Sequence, residues 1–377
     1  MLFIKKREEM KQLIHSQIIK GKKFDLKLSE PITLVNNEKR KRSGHVGHAM
    51  TEFEKGRIMV FNSNTSYDRF CGHSNYGWTE YRISDDYGES FGRPKVFPYS
   101  KKLFLDGVNS AAVEKAVTCD NGVIAAFTTI CSMLTAVCFE PHGSPKVVLS
   151  YDGGKSWGEP TEVSPYRGRI FDALYHKGVC YVLQHCNDCE ESFYATKPEH
   201  VYRLFKSADN CKTFEEICVV PFDDVIGRAY GNMIITPEEK LIVYAYNGND
   251  EYNMDYCISE DFGRTWTEKG KSYLKNKIRN PQVGLLDGQF ILHGRAGESE
   301  AGTGAFVIYT SADGINFDDG KVLVEGRPAC FYSENLTVTM PDGKQRMYIQ
   351  YSENFRDPTP GEWSARVNNM IAYLEKK

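Results

Sequence analysis

Short runs of apolar residues, many alternating with polar ones, recur along the chain from residue 24 onward, separated by Gly, Asn, Asp and Pro. Alternation with period two over five to eight residues marks a half-buried strand. The runs come in pairs joined by tight turns. Residues 44–52 precede 57–62, 112–119 precede 123–129, and 170–175 precede 179–184. Residues 230–236 precede 241–246, 281–286 precede 289–293, and 331–340 precede 346–351. Six such pairs predict six repeated units. Residues 1–23 read differently: Leu2, Ile4, Met10, Leu13, Ile14 and Ile18 approximate a stripe at helical spacing, which predicts a short amphipathic helix.

A second pattern repeats within the first. Ser84-Asp-Asp86-Tyr-Gly88-Glu-Ser90-Phe91 is matched by Ser150-Tyr-Asp152-Gly-Gly154-Lys-Ser156-Trp157 and by Ser259-Glu-Asp261-Phe-Gly263-Arg-Thr265-Trp266. Ser207-Ala-Asp209-Asn-Cys211-Lys-Thr213-Phe214 keeps the pattern with Cys for Gly, and Ser311-Ala-Asp313-Gly314-Ile-Asn-Phe317 is one residue shorter. Self-similarity at intervals of 52 to 66 residues marks a propeller or solenoid. Ser and Asp side chains hold a tight turn by bonding nearby amides, and Gly supplies the positive φ. The terminal aromatic drops between sheets. These carboxylates therefore read as structural.

The sixth pair is followed by one more strand, 367–374, where a blade needs two. The strand-like stretch 24–35 has no partner of its own. It is expected to supply the missing outer strand and close the ring, which protects an open edge. The expected architecture is an all-β, six-bladed β-propeller over residues 24–377, behind a helical extension over 1–23.

The 377 residues carry 47 Lys+Arg and 50 Asp+Glu, a net charge of −3, which argues against nucleic acid or a membrane as an electrostatic partner. The longest apolar run, 241–246, is far short of the ~20 residues of a membrane span. The N-terminal residues lack a secretory pattern, so a cytoplasmic location with reduced thiols is expected for the eleven cysteines. Cys186 and Cys189 have CxxC spacing, but no second pair completes a metal site, and none is expected. Phosphate-binding glycine loops and HExxH are missing, so no cofactor is expected.

The repeat is the Asp box, or BNR repeat, and the chain resembles the sialidase superfamily of β-propellers. The resemblance implies a carbohydrate pocket at one end of the central channel. Polar residues at the starts of first strands and the ends of second strands would line it. Such positions include His45, His48, Glu114, Lys115, Asp172, His185, Arg228, Tyr230, Asn232, Arg279, Gln282, His293, Arg295, Tyr332, Glu334 and Gln350.

Sialidases combine three arginines that clamp a carboxylate, an aspartic acid, and a tyrosine nucleophile paired with a glutamate. The segment Cys330-Phe-Tyr332-Ser333-Glu334, followed by Pro341-Asp-Gly343, resembles the tyrosine segment and implies Tyr332 as nucleophile or base. The loop 63–77 matches the position of the acid and holds Asp68, with His73 as a rival. Glu114 is expected as the supporting carboxylate. The arginine clamp does not carry over: Ser43-Gly44-His45-Val46-Gly47-His48 stands at the first position, Tyr246-Asn247 at the second, and Gln350 at the glutamate that would support the first. Arg228, Arg279 and Arg295 are expected to hold anionic or hydroxyl groups instead, with His48 and Gln350 lining the pocket. The reading is a glycoside hydrolase acting on an acidic or polar glycan. A polysaccharide lyase of the same fold and a non-catalytic glycan- or protein-binding propeller remain the alternatives.

Overall fold

The computed structural model describes residues 17–21, 24–36, 42–44, 47–66, 76–134, 142–296, 304–326, 331–354 and 365–376. They form six antiparallel sheets arranged as blades around a channel. The innermost strands are Met50–Glu54, Asn109–Thr118, Arg169–His176, Arg228–Ile235, Arg279–Leu286 and Ser333–Thr339. Each turns back into a second strand: Arg57–Ser66, Ile124–Ser132, Val179–His185, Leu241–Asn247, Gln289–Ala296 and Gln345–Asn354. The second strands are nearly continuous apolar runs, such as Ile-Val-Tyr-Ala-Tyr in blade 4, because both of their faces are covered by neighbouring blades.

Sheet-on-sheet packing builds the core. Val117, Phe127 and Val147 of blade 2 meet Ile170, Val182 and Phe205 of blade 3 in one buried cluster, and equivalent clusters fill the other interfaces. The repeated turns fasten these layers. In blade 4, Ser259 Oγ accepts the Gly263 amide at 2.7 Å, and Asp261 accepts the Thr265 amide at 2.8 Å and its hydroxyl at 2.7 Å. The same bonds recur at Ser84, Ser150, Ser207 and Ser311. Trp157 packs edge-on against Phe61, Tyr81 and Phe97 of the preceding blade, and Tyr81 donates a 2.7 Å hydrogen bond to the Gly154 carbonyl. Gly154 has a φ of 77°, and a Cβ there would lie 2.4 Å from the Met59 methyl, so glycine serves both the turn and the close approach.

Blade 6 draws on both ends of the described chain. Phe24–Leu28 pairs antiparallel with Ala365–Lys376, outside Gln345–Asn354, and Ile32–Val35 also pairs with that last strand. The first sixteen residues of the expected N-terminal helix lie outside the described residues. Gln17–Lys20, at its end, is a strand paired with Phe24–Leu28, which corrects the helical expectation there. The helix among the described residues is instead α1, Pro98–Asp106. Pro98 opens it with a fixed φ, and Gly107 ends it in the left-handed conformation.

A candidate active site of paired tyrosines and arginines

Inner strands enter the channel at the same end at which second strands leave it: Arg169 pairs with His185, Arg228 with Asn247, and Arg279 with Arg295. At this end four inner strands bulge. In blades 2, 3 and 4 the residue without a partner opposite it is Glu114, Phe171 or Tyr230. In blade 5 the ladder slips between Arg279 and Gln282. A bulge re-aims side chains and ends regular pairing, and bulges gather beside active sites. Tyr230 carries a φ of +34°, an uncommon conformation for a bulky residue. Its backbone carbonyl and that of Ala229 both accept from the Tyr202 hydroxyl, at 3.0 and 2.6 Å, which holds the bulge in place.

Side chains from five blades, 2 to 6, meet at this end. The Tyr230 and Tyr332 hydroxyls are 2.9 Å apart. Arg295 Nη2 donates to Tyr332 at 3.1 Å and to Tyr230 at 3.3 Å, and its guanidinium lies 4.3 Å from the centre of the Tyr332 ring. Only 3% of Arg295 is exposed, yet its Nε and Nη1 have no partner among the described residues. The Arg279 guanidinium lies 5.1 Å from the Phe193 ring and 5.8 Å from the Tyr194 and Tyr246 rings, and its Nε is also unpartnered among the described residues. Arg169 Nη2 donates to Glu114 at 2.7 Å. Three guanidiniums thus face two phenols. Among the described residues, the carboxylate held by one of these guanidiniums is that of Glu114, on Arg169. Buried cations short of counter-ions are costly unless an anion completes them.

The field acts on the phenols. Burial resists ionisation of Tyr230, but Arg295, Arg279 and Arg169 outweigh it and hold its phenol below the usual value. Burial pushes Tyr332 the other way, well above the usual value, despite Arg295. In a hydrogen-bonded pair of phenols with opposite bias, the first ionisation falls on the depressed one and the other keeps its proton.

One step deeper along the inner strands, a polar plug crosses the channel. Lys115 Nζ lies 3.2 Å from Asp172, 2.9 Å from Gln282 Oε1, and in contact with Glu334. Asp172 accepts the Met233 amide at 2.7 Å and the Asn232 amide group at 2.5 Å, and Asn232 Oδ1 accepts the Val283 amide at 2.8 Å. Burial pushes the Glu334 carboxyl up to about 7, with Lys115 opposing and Asp172 assisting. Beyond the plug a cavity of about 470 Å³ extends past Thr118, His176, Ile235 and Thr337 toward the opposite mouth. No arginine among the described residues lines it. The unpaired cations put the candidate chemistry at the tyrosine end.

The sequence candidates divide accordingly. Tyr332, Arg279 and Arg295 converge. Glu114 reaches the site through Arg169 rather than by contact with Tyr332 in any bond described. Arg228 is buried against Asp255, with Nη1 on the Ile226 carbonyl at 3.1 Å, so its charge is neutralised inside blade 4 and is not offered to the channel. Gln350 donates to the Phe61 carbonyl at 2.6 Å and sits 3.3 Å from His48 Nδ1, an interior link between blades 6 and 1. His45, Asp68 and His73 lie outside the described residues. His185 is stacked on Tyr202 and held neutral by burial, its pKa pushed down to about 3.

Arg169 is the residue that sequence reasoning missed. It stands one position before the strand drawn at 170–175, and it occupies the lip position that Arg228 and Arg279 occupy in the next two blades. Comparing those starting positions finds it.

No protein-family model matches the chain, and no curated relative matches it by sequence. Solved structures do match by shape. A protein of unknown function from Dyadobacter fermentans superposes with a TM-score of 0.70 at 13% identity, over 93% of this chain and 99% of that one. The Hadza microbial sialidase Hz136 gives 0.66 at 12% identity, over 92% and 68%. The α-L-arabinanase of Penicillium chrysogenum, solved with arabinobiose, gives 0.58 at 10% identity, over 90% and 97%. By shape, then, this chain has the six-bladed propeller fold that sialidases share with an arabinanase.

Proposed function

We propose that the protein is a glycoside hydrolase acting on a glycan that carries a carboxylate. One observation carries this reading: Arg279 and Arg295 have no carboxylate partner among the described residues and flank the Tyr230–Tyr332 pair. Planar guanidinium forks suit a carboxylate, and a tyrosine nucleophile avoids the repulsion that a carboxylate nucleophile would suffer beside an anionic sugar. In this reading Tyr332 attacks the anomeric carbon, Arg279 and Arg295 grip the substrate anion, and Glu114 orients Arg169 at the rim. Asp68 is the proposed acid for the leaving oxygen.

Aryl glycosides of sialic acid, uronic acids and neutral sugars test it. Release of the aryl group from an acidic glycoside, reduced by at least about 10²-fold in Tyr332→Phe, is the expected result. Preference for neutral glycosides, or full activity in Tyr332→Phe, overturns it. The depressed phenol of Tyr230 favours a second reading, a lyase that removes a proton beside a uronate carboxylate. Absorbance from an unsaturated product would select it, and binding without turnover would select a non-catalytic propeller.

A further inference from the structure

Sialidases set a glutamate beside their tyrosine. Here the group facing the Tyr332 hydroxyl across 2.9 Å is another phenol, and it comes from a strained bulge locked by Tyr202. From this geometry we infer that Tyr230 is a second catalytic residue, present as the phenolate of the pair and serving as the base that takes the Tyr332 proton. The inference rests on the hydrolase reading for its step, and on the charge around the pair for its protonation state.

The charges facing Tyr230 can be counted by element. Blade 3 presents Arg169, already neutralised by Glu114. Blade 5 presents Arg279 and Arg295, which no carboxylate neutralises among the described residues. Blade 6 presents Tyr332, and blade 4 presents Tyr246, whose hydroxyl is held 2.5 Å from Glu251. Two positive charges in a nearly dry site favour one anion strongly. Arg295 Nη2 bridges the two phenols, 3.1 Å from Tyr332 and 3.3 Å from Tyr230; the three arginines outweigh burial at Tyr230, and burial dominates at Tyr332. One phenolate offsets one of the two charges and leaves one net positive charge for the substrate anion that both guanidiniums grip.

The step balances. As the Tyr332 oxygen bonds to the anomeric carbon, its proton passes to the Tyr230 phenolate. The glycosidic C–O bond breaks, and the leaving oxygen takes a proton from the acid. In the second half, water attacks the same carbon and gives a proton back to the acid. The Tyr332 oxygen leaves and recovers its proton from Tyr230. Each group returns to its starting state.

Spectrophotometric titration of phenolate absorbance tests the protonation state without any substrate. Of the 22 tyrosines, one is expected to ionise in a distinct step below the rest. That step is expected to vanish in Tyr230→Phe, to survive in Tyr332→Phe, and to move upward in Arg279→Gln, which leaves both rings in place. No early step in the wild-type protein, or an early step that persists in Tyr230→Phe, overturns the inference. On an active glycoside, Tyr230→Phe is expected to lower kcat by about 10²-fold and to remove the acidic limb of the kcat–pH profile. Unchanged kcat with the early step lost overturns the role as base. Because the titration needs no turnover, absence of hydrolysis refutes the hydrolase reading and leaves the phenolate result standing.

Discussion

Replacing Lys115 by Met tests the polar plug beneath the site. The ammonium is buried, and its neighbours are Asp172, Glu334 and the Gln282 carbonyl oxygen. Methionine fills much of the same volume but removes the charge that both carboxylates face. Truncating one partner of a buried ion pair costs about 3–5 kcal/mol, because the other charge is left uncompensated. The cost here depends on pH. Glu334 already titrates at about 7, raised by burial and by Asp172 against the pull of Lys115. Without Lys115 it rises further and stays protonated to higher pH. Near pH 6 Glu334 is neutral in both proteins, and the loss is confined to Asp172, which keeps the amides of Met233 and Ala173. Above pH 7 the variant retains a proton that the parent has released, so the destabilisation grows by up to about 1.4 kcal/mol per pH unit until the shifted carboxyl ionises. Urea unfolding of both proteins at pH 6 and pH 8 measures this. Adding Glu334→Gln to the variant is expected to recover the pH-dependent part. A destabilisation below about 1 kcal/mol, or one equal at both pH values, refutes the account of the plug as a charge-balanced cluster.

Two further predictions concern stability. Ser259→Ala leaves the Gly263 amide without its 2.7 Å acceptor and is expected to cost about 1–3 kcal/mol in chemical denaturation, whereas a loss within a few tenths would mean that the turn holds without its serine. His142, His185 and His293 are each pushed down to about 3, mainly by burial. The unfolded chain therefore binds protons that the folded one refuses. The histidine contribution to stability is expected to be complete above pH 6.5 and to fall toward pH 3, by up to about 1.4 kcal/mol per pH unit for each, against the opposite and smaller effect of the single Glu334; a melting temperature that is flat or rises from pH 6.5 to 4 would refute it.

The blades were legible because the pairing of adjacent strands is local. Tight turns such as Lys177-Gly178 and Asp287-Gly288 fix where a hairpin folds, and the Ser-Asp-Gly turns repeat the same bonds at fixed offsets. Helix α1 carries a signal too, with Pro98 at its start and Gly107 at its end, but nine residues are too few to show a helical period clearly. The site was legible only in part. Tyr332, Arg279 and Arg295 stand at strand ends that the hairpin pattern locates. The contact between Tyr230 and Tyr332 joins residues 102 positions apart and depends on a bulge that shifts one side chain by a single register step. Nothing in the spacing encodes that shift. Arg228 shows the converse error: its position matched Arg279, but Asp255 on the next strand but one absorbed its charge.

Because Phe24–Leu28 and Ala365–Lys376 lie side by side in the sheet that leads on from Tyr332, the ring shuts like a clasp whose halves come from opposite ends of the described chain. During synthesis, residues 24–28 can fold back on residues 17–20, but their other partner is missing until residues 365–376 have been translated. The sheet that follows the tyrosine is then the last to be completed, so a nascent chain that stalls short of residue 365 leaves the clasp undone, and the centre never forms on it.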